Sequence, residues 1–140
     1  MENINRSLMK KGITASTFDL LHAGHILMLK EAKSVCDYLI VALQVDPTID
    51  RPEKNKPIQS YYERWVQLSA VKYVDEIIPY TTEDELNTIL QNYEIDIRIL
   101  GDEYYDRYFT GNDLQMEYHY NKRTHGYSST ELRNRIKSLV

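Results

Sequence analysis

Apolar residues along the chain form short continuous runs separated by segments with a helical period. Residues 38–45 form a largely apolar run without alternation, which is typical of a parallel strand covered on both faces. Shorter runs over 12–16, 76–78 and 95–100 predict further strands. Because helical segments lie between these runs, the order of elements predicts an α/β fold with a parallel sheet and right-handed crossovers.

Each helical segment has a recognisable start. Apolar residues at 26, 29, 32 and 35 with lysines opposite predict an amphipathic helix. Three later helices, predicted over 61–71, 83–93 and from 128 toward 139, begin with a hydroxyl residue followed three positions on by glutamate. That spacing is a capping box, in which hydroxyl and carboxylate close reciprocal bonds to free N–H groups. The pairs are Ser60 with Glu63, Thr82 with Glu85 and Ser128 with Glu131.

Two stretches, 46–59 and 103–112, show no convincing regular structure. The first is rich in proline and charge, and the second is rich in tyrosine. Each follows a predicted strand, so both are expected at the carboxyl edge of the sheet, where ligands bind in such folds.

Composition narrows the class of protein. A chain of 140 residues with 42% hydrophobic and 27% charged residues is expected to form one domain, 1–140. A net charge of −4 argues against a nucleic-acid polymer as partner. Cys36, the single cysteine, excludes an internal disulfide. No run of 18 apolar residues and no signal peptide over 1–7 are present, so we expect no membrane association and a cytoplasmic location.

The most informative motif is H-x-G-H at residues 22–25, placed where a strand turns into a helix. Free N–H groups and the helix dipole make such a start an anion site. Gly24 allows close approach to the backbone, and His22 and His25 can donate to a phosphate oxygen. The alternative is a pair of surface histidines that cap the helix. We favour a phosphate site.

A second group of residues, 123–130, precedes the last predicted helix. It contains Arg123, Gly126 and the hydroxyls of Ser128, Ser129 and Thr130. An arginine, a glycine and hydroxyls before a helix again describe an anion site, whereas a capped helix would need only Ser128 and Glu131. Two such sites in one domain are expected to bind opposite ends of one triphosphate.

Cations on the 46–59 stretch are the third candidate feature. Arg51, Lys54 and Lys56 are interpreted as a phosphate clamp that closes over the site, against the alternative of a solvated loop. Arg64 either serves a phosphate or pairs with its neighbours. Walker, dinucleotide-fingerprint, acyl-transfer and zinc motifs are absent from the sequence.

The residues at 17–25 and 123–130 resemble the two signatures of the cytidylyltransferases, T-F-D-x-x-H-x-G-H and R-T-x-G-x-S-[S/T]-T. The most similar members are the small bacterial type that acts on glycerol 3-phosphate. Residues 71–79 and 100–102 also resemble that family, so the likeness extends from about 13 to 136. The resemblance implies a single Rossmann-like domain, with a parallel five-stranded sheet flanked by helices.

The resemblance also implies roles for individual residues. His22, His25, Lys56 and Arg123 are assigned to catalysis; Lys54, Arg64 and Lys72 to the acceptor phosphate. Nucleotide contacts are assigned to Ser16, Thr17, Phe18, His22, Gly24, His25, Gly101, Asp102, Arg123, Thr124, Gly126, Ser128, Ser129 and Thr130. The chain departs from the family at Ser16 (usually glycine), His125 (usually an acid), Lys72 (often arginine) and Ala23 (often tryptophan), and over 104–121.

The activity implied by the resemblance is transfer of CMP from CTP to a small alcohol phosphate, with release of pyrophosphate. Mg²⁺ is expected on the triphosphate, held by phosphate oxygens and water with no protein ligands. Residues 73–78 lead us to expect a homodimer. Two alternatives stay open: an enzyme of the same fold that uses ATP with a sugar phosphate or flavin mononucleotide, and a nucleotide-binding module without turnover.

Overall fold

The computed structural model describes residues 9–140 as one parallel sheet with helices on both faces. The strands are β1 (Lys11–Ser16), β2 (Tyr38–Gln44), β3 (Glu76–Tyr80), β4 (Ile97–Gly101) and β5 (Glu117–Asn121). The helices are α1 (Ala23–Ser34), α2 (Tyr61–Ser69), α3 (Glu83–Asn92) and α4 (Ser129–Lys137), with 3₁₀ turns at Pro47–Ile49 and Asp102–Tyr104. The strand order is β3-β2-β1-β4-β5, and all four pairings are parallel.

The predicted fold class is confirmed, and the four located strands differ from their predicted ends by at most two residues. Strand β5 was not located from the sequence, although the resemblance implied five strands. It pairs only with β4, and just one of its residues, Asn121, is buried, so it carries no apolar run. Residues 1–7, for which a signal peptide was judged absent, lie outside the described residues.

Two apolar clusters hold the helices against the sheet. Leu29 of α1 and Leu68 of α2 pack with Leu39, Val41 and Ile99 on one face. On the other face, residues of α3 pack against β1 and β2; this cluster includes Ile13, Ile40, Ala42, Leu86, Ile89 and Leu90. Both faces of β2 are therefore covered, which explains its continuous apolar sequence.

Strands β2 and β3 follow on one side of β1, and β4 and β5 follow on the other, so the order in which strands are added to the sheet reverses at β1. Connections leaving β1 and β2 pass over one face, and the connection from β3 to β4 passes over the other. In open parallel sheets a crevice forms outside the carboxyl ends of the strands at such a reversal. Residues 16–25 after β1 and 101–102 at the end of β4 lie at this edge. No helix within residues 9–140 is long and apolar enough to cross a membrane.

Candidate active site

The turn after β1 is tightly held. Phe18 and Leu20 both have positive φ angles, 47° and 53°, which non-glycine residues adopt only where surrounding contacts impose them. Between them, the buried carboxylate of Asp19 accepts hydrogen bonds from the N–H groups of Ile58 (2.8 Å) and Gln59 (3.0 Å). The side chain of Gln59 accepts from Leu20 N–H at 2.8 Å. The turn that carries the histidines is thus fixed to the segment before α2.

Asp19 was not among the predicted site residues, although it is the third residue of the T-F-D motif. Its carboxylate also lies 3.4 Å from the guanidinium of Arg133 on α4. The buried side chain of Asp19 therefore contacts both the segment before α2 and a residue within α4, which lie far apart in sequence.

His22 and His25 close the start of α1 through their own backbone. His22 Nδ1 accepts the N–H of Gly24 at 3.0 Å, and His25 Nδ1 accepts the N–H of His22 at 3.2 Å. The two rings stack with centroids 3.9 Å apart. Because each Nδ1 is an acceptor, the proton of each neutral ring is assigned to Nε2. The N–H of Gly24, predicted to be free for an anion, is instead used in this cap.

Both imidazoles are held in the neutral form. Burial lowers the pKa of His25 to about 4, with a further contribution from His22. Burial also lowers the pKa of His22, assisted by the positive charge of Arg123 and by His125. At neutral pH the pair therefore presents two Nε2–H donors, which can hydrogen-bond phosphate oxygens without changing charge.

The two sequence signatures meet at this point. His22 Nε2 lies 3.2 Å from the hydroxyl of Ser129, at the start of α4. The carbonyl oxygen of Tyr127 lies 2.8 Å from where a Cβ on Gly24 would be, and it accepts from Arg123 Nη2 at 2.9 Å. Glycine at 24 thus allows the second signature to approach the first.

The remaining predicted nucleotide residues lie along the same edge. Ser128 caps α4 by accepting the N–H of Glu131 at 3.0 Å. Nothing lies within 4 Å of a Cβ built on Gly126, so that side of the segment is open. Ser16 and Thr17 end β1 and begin its turn, Gly101 and Asp102 end β4, and Thr124 and Thr130 are exposed on either side of Gly126.

The lysine loop, which we define as residues 46–59, follows β2 at the same edge. Lys54 and Lys56 are exposed. The N–H of Lys54 donates to the carbonyl of Arg51 at 2.9 Å. Hydrogen bonds from Thr48, with a smaller contribution from the nearby charge of Lys56, lower the pKa of Asp46 just after β2. The loop therefore carries two exposed cations at the carboxyl edge of the sheet, and one of them lies near the carboxylate of Asp46.

Arg64 does not serve a substrate phosphate, which corrects its predicted role. It is 2% exposed, and its guanidinium donates to four backbone carbonyls. Nε donates to Gln59 (3.1 Å), Nη1 to Thr17 (3.0 Å) and Gln44 (2.6 Å), and Nη2 to Val45 (2.7 Å). These bonds join the ends of β1 and β2 to the start of α2, and they leave the charge inaccessible to ligand.

The assignment of Lys72 stays a prediction, and that of Phe18 is corrected. Lys72 precedes β3, at the amino edge of the sheet and opposite the histidines, with its ammonium 5.3 Å from the ring centroid of Tyr73. The side chain of Phe18 is 1% exposed within the core, so it cannot line the nucleotide site. Phe18 supports the site instead through its backbone turn and its ring, 5.4 Å from that of His25.

Residues 9–140 contain no group of three or more His, Cys, Asp or Glu side chains placed to hold a metal ion.

A parallel sheet with neutral histidine donors and loop lysines at its carboxyl edge is typical of nucleotide-binding α/β domains, among them the nucleotidyltransferases. The cytidylyltransferase-like family model matches residues 13–135. The chain therefore belongs to the cytidylyltransferase-like family.

Known proteins of this class resemble the whole chain. Glycerol-3-phosphate cytidylyltransferase of Bacillus subtilis is 37% identical, covering 94% of this chain and 100% of the relative. The protein of the same name from Staphylococcus aureus is 33% identical, covering 91% and 96%. The crystal structure of the lipopolysaccharide core biosynthesis protein of Thermoplasma volcanium superimposes with a TM-score of 0.59 at 27% identity, covering 94% of this chain and 88% of that one.

Proposed function

We propose that this chain transfers CMP from CTP to glycerol 3-phosphate, forming CDP-glycerol and pyrophosphate. A phosphate oxygen of the acceptor forms a bond to the α-phosphorus of CTP, and the bond from that phosphorus to the oxygen bridging the α- and β-phosphates breaks. The leaving pyrophosphate takes the electron pair. The observation that carries the proposal is the contact between His22 of one signature and Ser129 of the other, in a chain whose full-length relatives bear this name.

The residues act by position and charge, because the acceptor itself supplies the nucleophile. The Nε2–H groups of His22 and His25 donate to oxygens of the α-phosphate as charge builds there. Lys54 and Lys56 move with the lysine loop, which brings an ammonium near the α- and β-phosphates as negative charge moves to the leaving group. Arg123, with the residues around Gly126, holds the nucleotide at the start of α4.

Mg²⁺ belongs to this proposal as a companion of the triphosphate. Bound there, it neutralises phosphate charge. Removal of divalent cations by a chelator is expected to stop pyrophosphate release and to leave the thermal unfolding midpoint unchanged, since the described residues offer the ion no cage.

A homodimer and a cytoplasmic location complete the proposal. Residues Tyr73, Val74 and Ile77 of the predicted interface segment pack against the chain's own core. Helix α2 exposes Tyr62 (72%) and Trp65 (41%), which supply apolar surface for a second copy. Light scattering is expected to give about twice the 16.5 kDa chain mass at micromolar protein. The location follows from CTP, which is a cytoplasmic substrate.

The deciding experiment incubates the protein with each of four nucleoside triphosphates and a panel of alcohol phosphates, and follows pyrophosphate. CTP with glycerol 3-phosphate is expected to react fastest. Isothermal titration is expected to show CTP binding at least about tenfold more tightly than ATP. Preference for ATP would assign the chain to the adenylyl-transferring branch, and binding without turnover of any pair would make it a regulatory module.

A further inference from the structure

Glu83, the first residue of α3, contacts both irregular segments at the carboxyl edge. Its N–H donates to the carboxylate of Asp50 at 2.9 Å, and its Oε1 accepts from the hydroxyl of Thr110 at 3.0 Å. Its Oε2 lies 3.7 Å from Nη2 of Arg51. Asp50 and Arg51 belong to the lysine loop, whereas Thr110 belongs to the segment after β4. One side chain thus joins the two segments expected to flank the nucleotide.

The contact with Arg51 is incomplete in this structure. At 3.7 Å it is a charge contact and exceeds the length of a hydrogen bond. Arg51 Nε and Glu83 Oε2 are both buried, and within the described part of the chain neither has a hydrogen-bond partner. A buried donor and a buried acceptor of opposite charge gain from moving together, because each lacks the bonds that water would otherwise provide.

The side of the contact that can move is the lysine loop. Thr110 is held to the sheet, since its carbonyl accepts from Arg98 Nη1 and Arg98 is 5% exposed on β4. The guanidinium of Arg98 also lies 5.3 Å from the ring centroid of Phe109. Glu83 is held by its hydrogen bond to Thr110 and by its position as the first residue of α3. Arg51, by contrast, precedes an exposed stretch, and the turn of Lys54 is built on its carbonyl.

We propose that Glu83 is a positioning residue, which sets the lysine loop for phosphate binding through Arg51. As Lys54 and Lys56 move onto the triphosphate, the guanidinium of Arg51 completes its hydrogen bonds to the Glu83 carboxylate. Because this gain exists only in the closed arrangement, it favours closure. The inference rests on the proposed function for the identity of the ligand, and its first test does not require turnover.

Trypsin reports the loop directly. Arg51 and Lys56 each precede proline, so the bond after Lys54 is the cleavable one within 46–59. Glu83→Gln keeps an oxygen for Thr110 and removes the charge facing Arg51. With saturating CTP and no acceptor, we expect it to speed cleavage after Lys54 by about fivefold, because fewer molecules are then in the closed arrangement. Asp84→Asn, the same change at an exposed neighbouring position, is expected to stay within about twofold of the parent protein.

Equal cleavage of the Glu83→Gln and Asp84→Asn proteins would overturn the proposal. Should Glu83→Gln fail to fold, as judged by its thermal midpoint, Arg51→Gln removes the same ion pair from the exposed loop. We expect Arg51→Gln to speed cleavage as Glu83→Gln does, and cleavage equal to that of Asp84→Asn would likewise overturn the proposal.

A double-mutant cycle tests whether Glu83 acts through the lysines. Glu83→Gln alone is expected to lower kcat about tenfold with a smaller change in the KM for CTP. In a Lys56→Ala background the same substitution is expected to cost less than about twofold, because the group it positions is gone. Losses that multiply would show a structural role and contradict the inference. A parent protein without turnover would contradict the proposed function, and the cleavage rates would still decide the role of Glu83.

Discussion

The histidine turn and the lysine loop lie at the same edge of the sheet, yet they are built in opposite ways. In the turn, the buried groups are satisfied: Asp19 accepts two N–H groups, and both histidine Nδ1 atoms accept backbone donors. In the loop, Lys54 and Lys56 are exposed, and Arg51 Nε and Glu83 Oε2 are buried without a hydrogen bond among the described residues. The turn is already arranged for its ligand, whereas the loop gains contacts by moving.

The two regions therefore stabilise different parts of the charge on the triphosphate. Donors that must meet the α-phosphate at a fixed distance are most effective when they need no rearrangement during the reaction. Cations that stabilise the leaving group have to admit a substrate and then release pyrophosphate, so they belong on a segment that opens and closes.

The largest expected effect comes from breaking the rigid side at Arg64. Arg64→Met should lower the free energy of unfolding by about 3–5 kcal/mol, because four backbone carbonyls lose the donor that a buried guanidinium supplies. Urea unfolding measures it. Lys72→Met, a cation-removing change at an exposed position, is the control and should change stability by less than about 0.5 kcal/mol. Equal small effects at both sites would show that Arg64 does not hold the turn.

Removing either histidine should affect catalysis more than folding. His22→Ala or His25→Ala is expected to lower kcat at least about a hundredfold, or ~2.7 kcal/mol of transition-state stabilisation. Since His22 also caps α1, His22→Asn supplies an alternative capping oxygen and should recover stability without recovering kcat. Steady-state pyrophosphate release and thermal unfolding separate the two. Normal turnover in both alanine variants would remove the catalytic assignment.

The mobile side should show a smaller and purely kinetic effect. Lys56→Ala is expected to lower kcat about tenfold and to raise the KM for CTP by less, because its charge is needed most as the pyrophosphate leaves. Lys54→Ala should have the weaker effect of the two. Neither change should move the thermal midpoint, since both side chains are exposed. An unchanged kcat for Lys56→Ala would mean that the loop does not act on the reaction.

Acid should weaken the rigid side through His25. Its folded-state pKa of about 4 lies below the ordinary histidine value of 6.5. The unfolded chain therefore takes up a proton that the folded chain refuses, and the stability present above pH 6.5 is lost as pH falls toward 4. Urea unfolding at a series of pH values should give a shallower loss for His25→Asn than for the parent protein. Identical slopes would contradict the burial of a neutral imidazole.

Local spacing predicted where the helices begin, although of the three predicted capping boxes only the first is closed by both bonds; Thr82 and Ser128 make the hydroxyl bond alone. Ser60 with Glu63 forms the reciprocal bonds of a capping box, so a four-residue pattern specifies where α2 begins. The run at 38–45 predicted β2 because both faces of that strand are buried. Strand β5 gave no such signal, since an edge strand with four half-exposed or exposed residues needs no apolar run.

The site residues differ in the same way, because a local pattern predicts some of them and the fold alone determines the role of others. The roles of Arg64 and Phe18 were predicted from residue type and motif position, and the burial of both side chains contradicts those roles. The sequence around a helical arginine does not indicate whether its guanidinium will bind a phosphate or donate to backbone carbonyls. Asp19 could have been found from its place in the T-F-D motif, whereas Glu83 carries no local signal beyond a helix start.

The starts of helices, the buried parallel strands and the two family signatures can be read from the sequence, because they depend on neighbours within a few residues. The contact of His22 with Ser129 across 107 positions, the inward-facing Arg64 and the reach of Glu83 to both loops appear only in the folded chain. Those contacts depend on strand order and on which face each helix covers. Both are set by packing of the whole chain, and no short-range pattern encodes them.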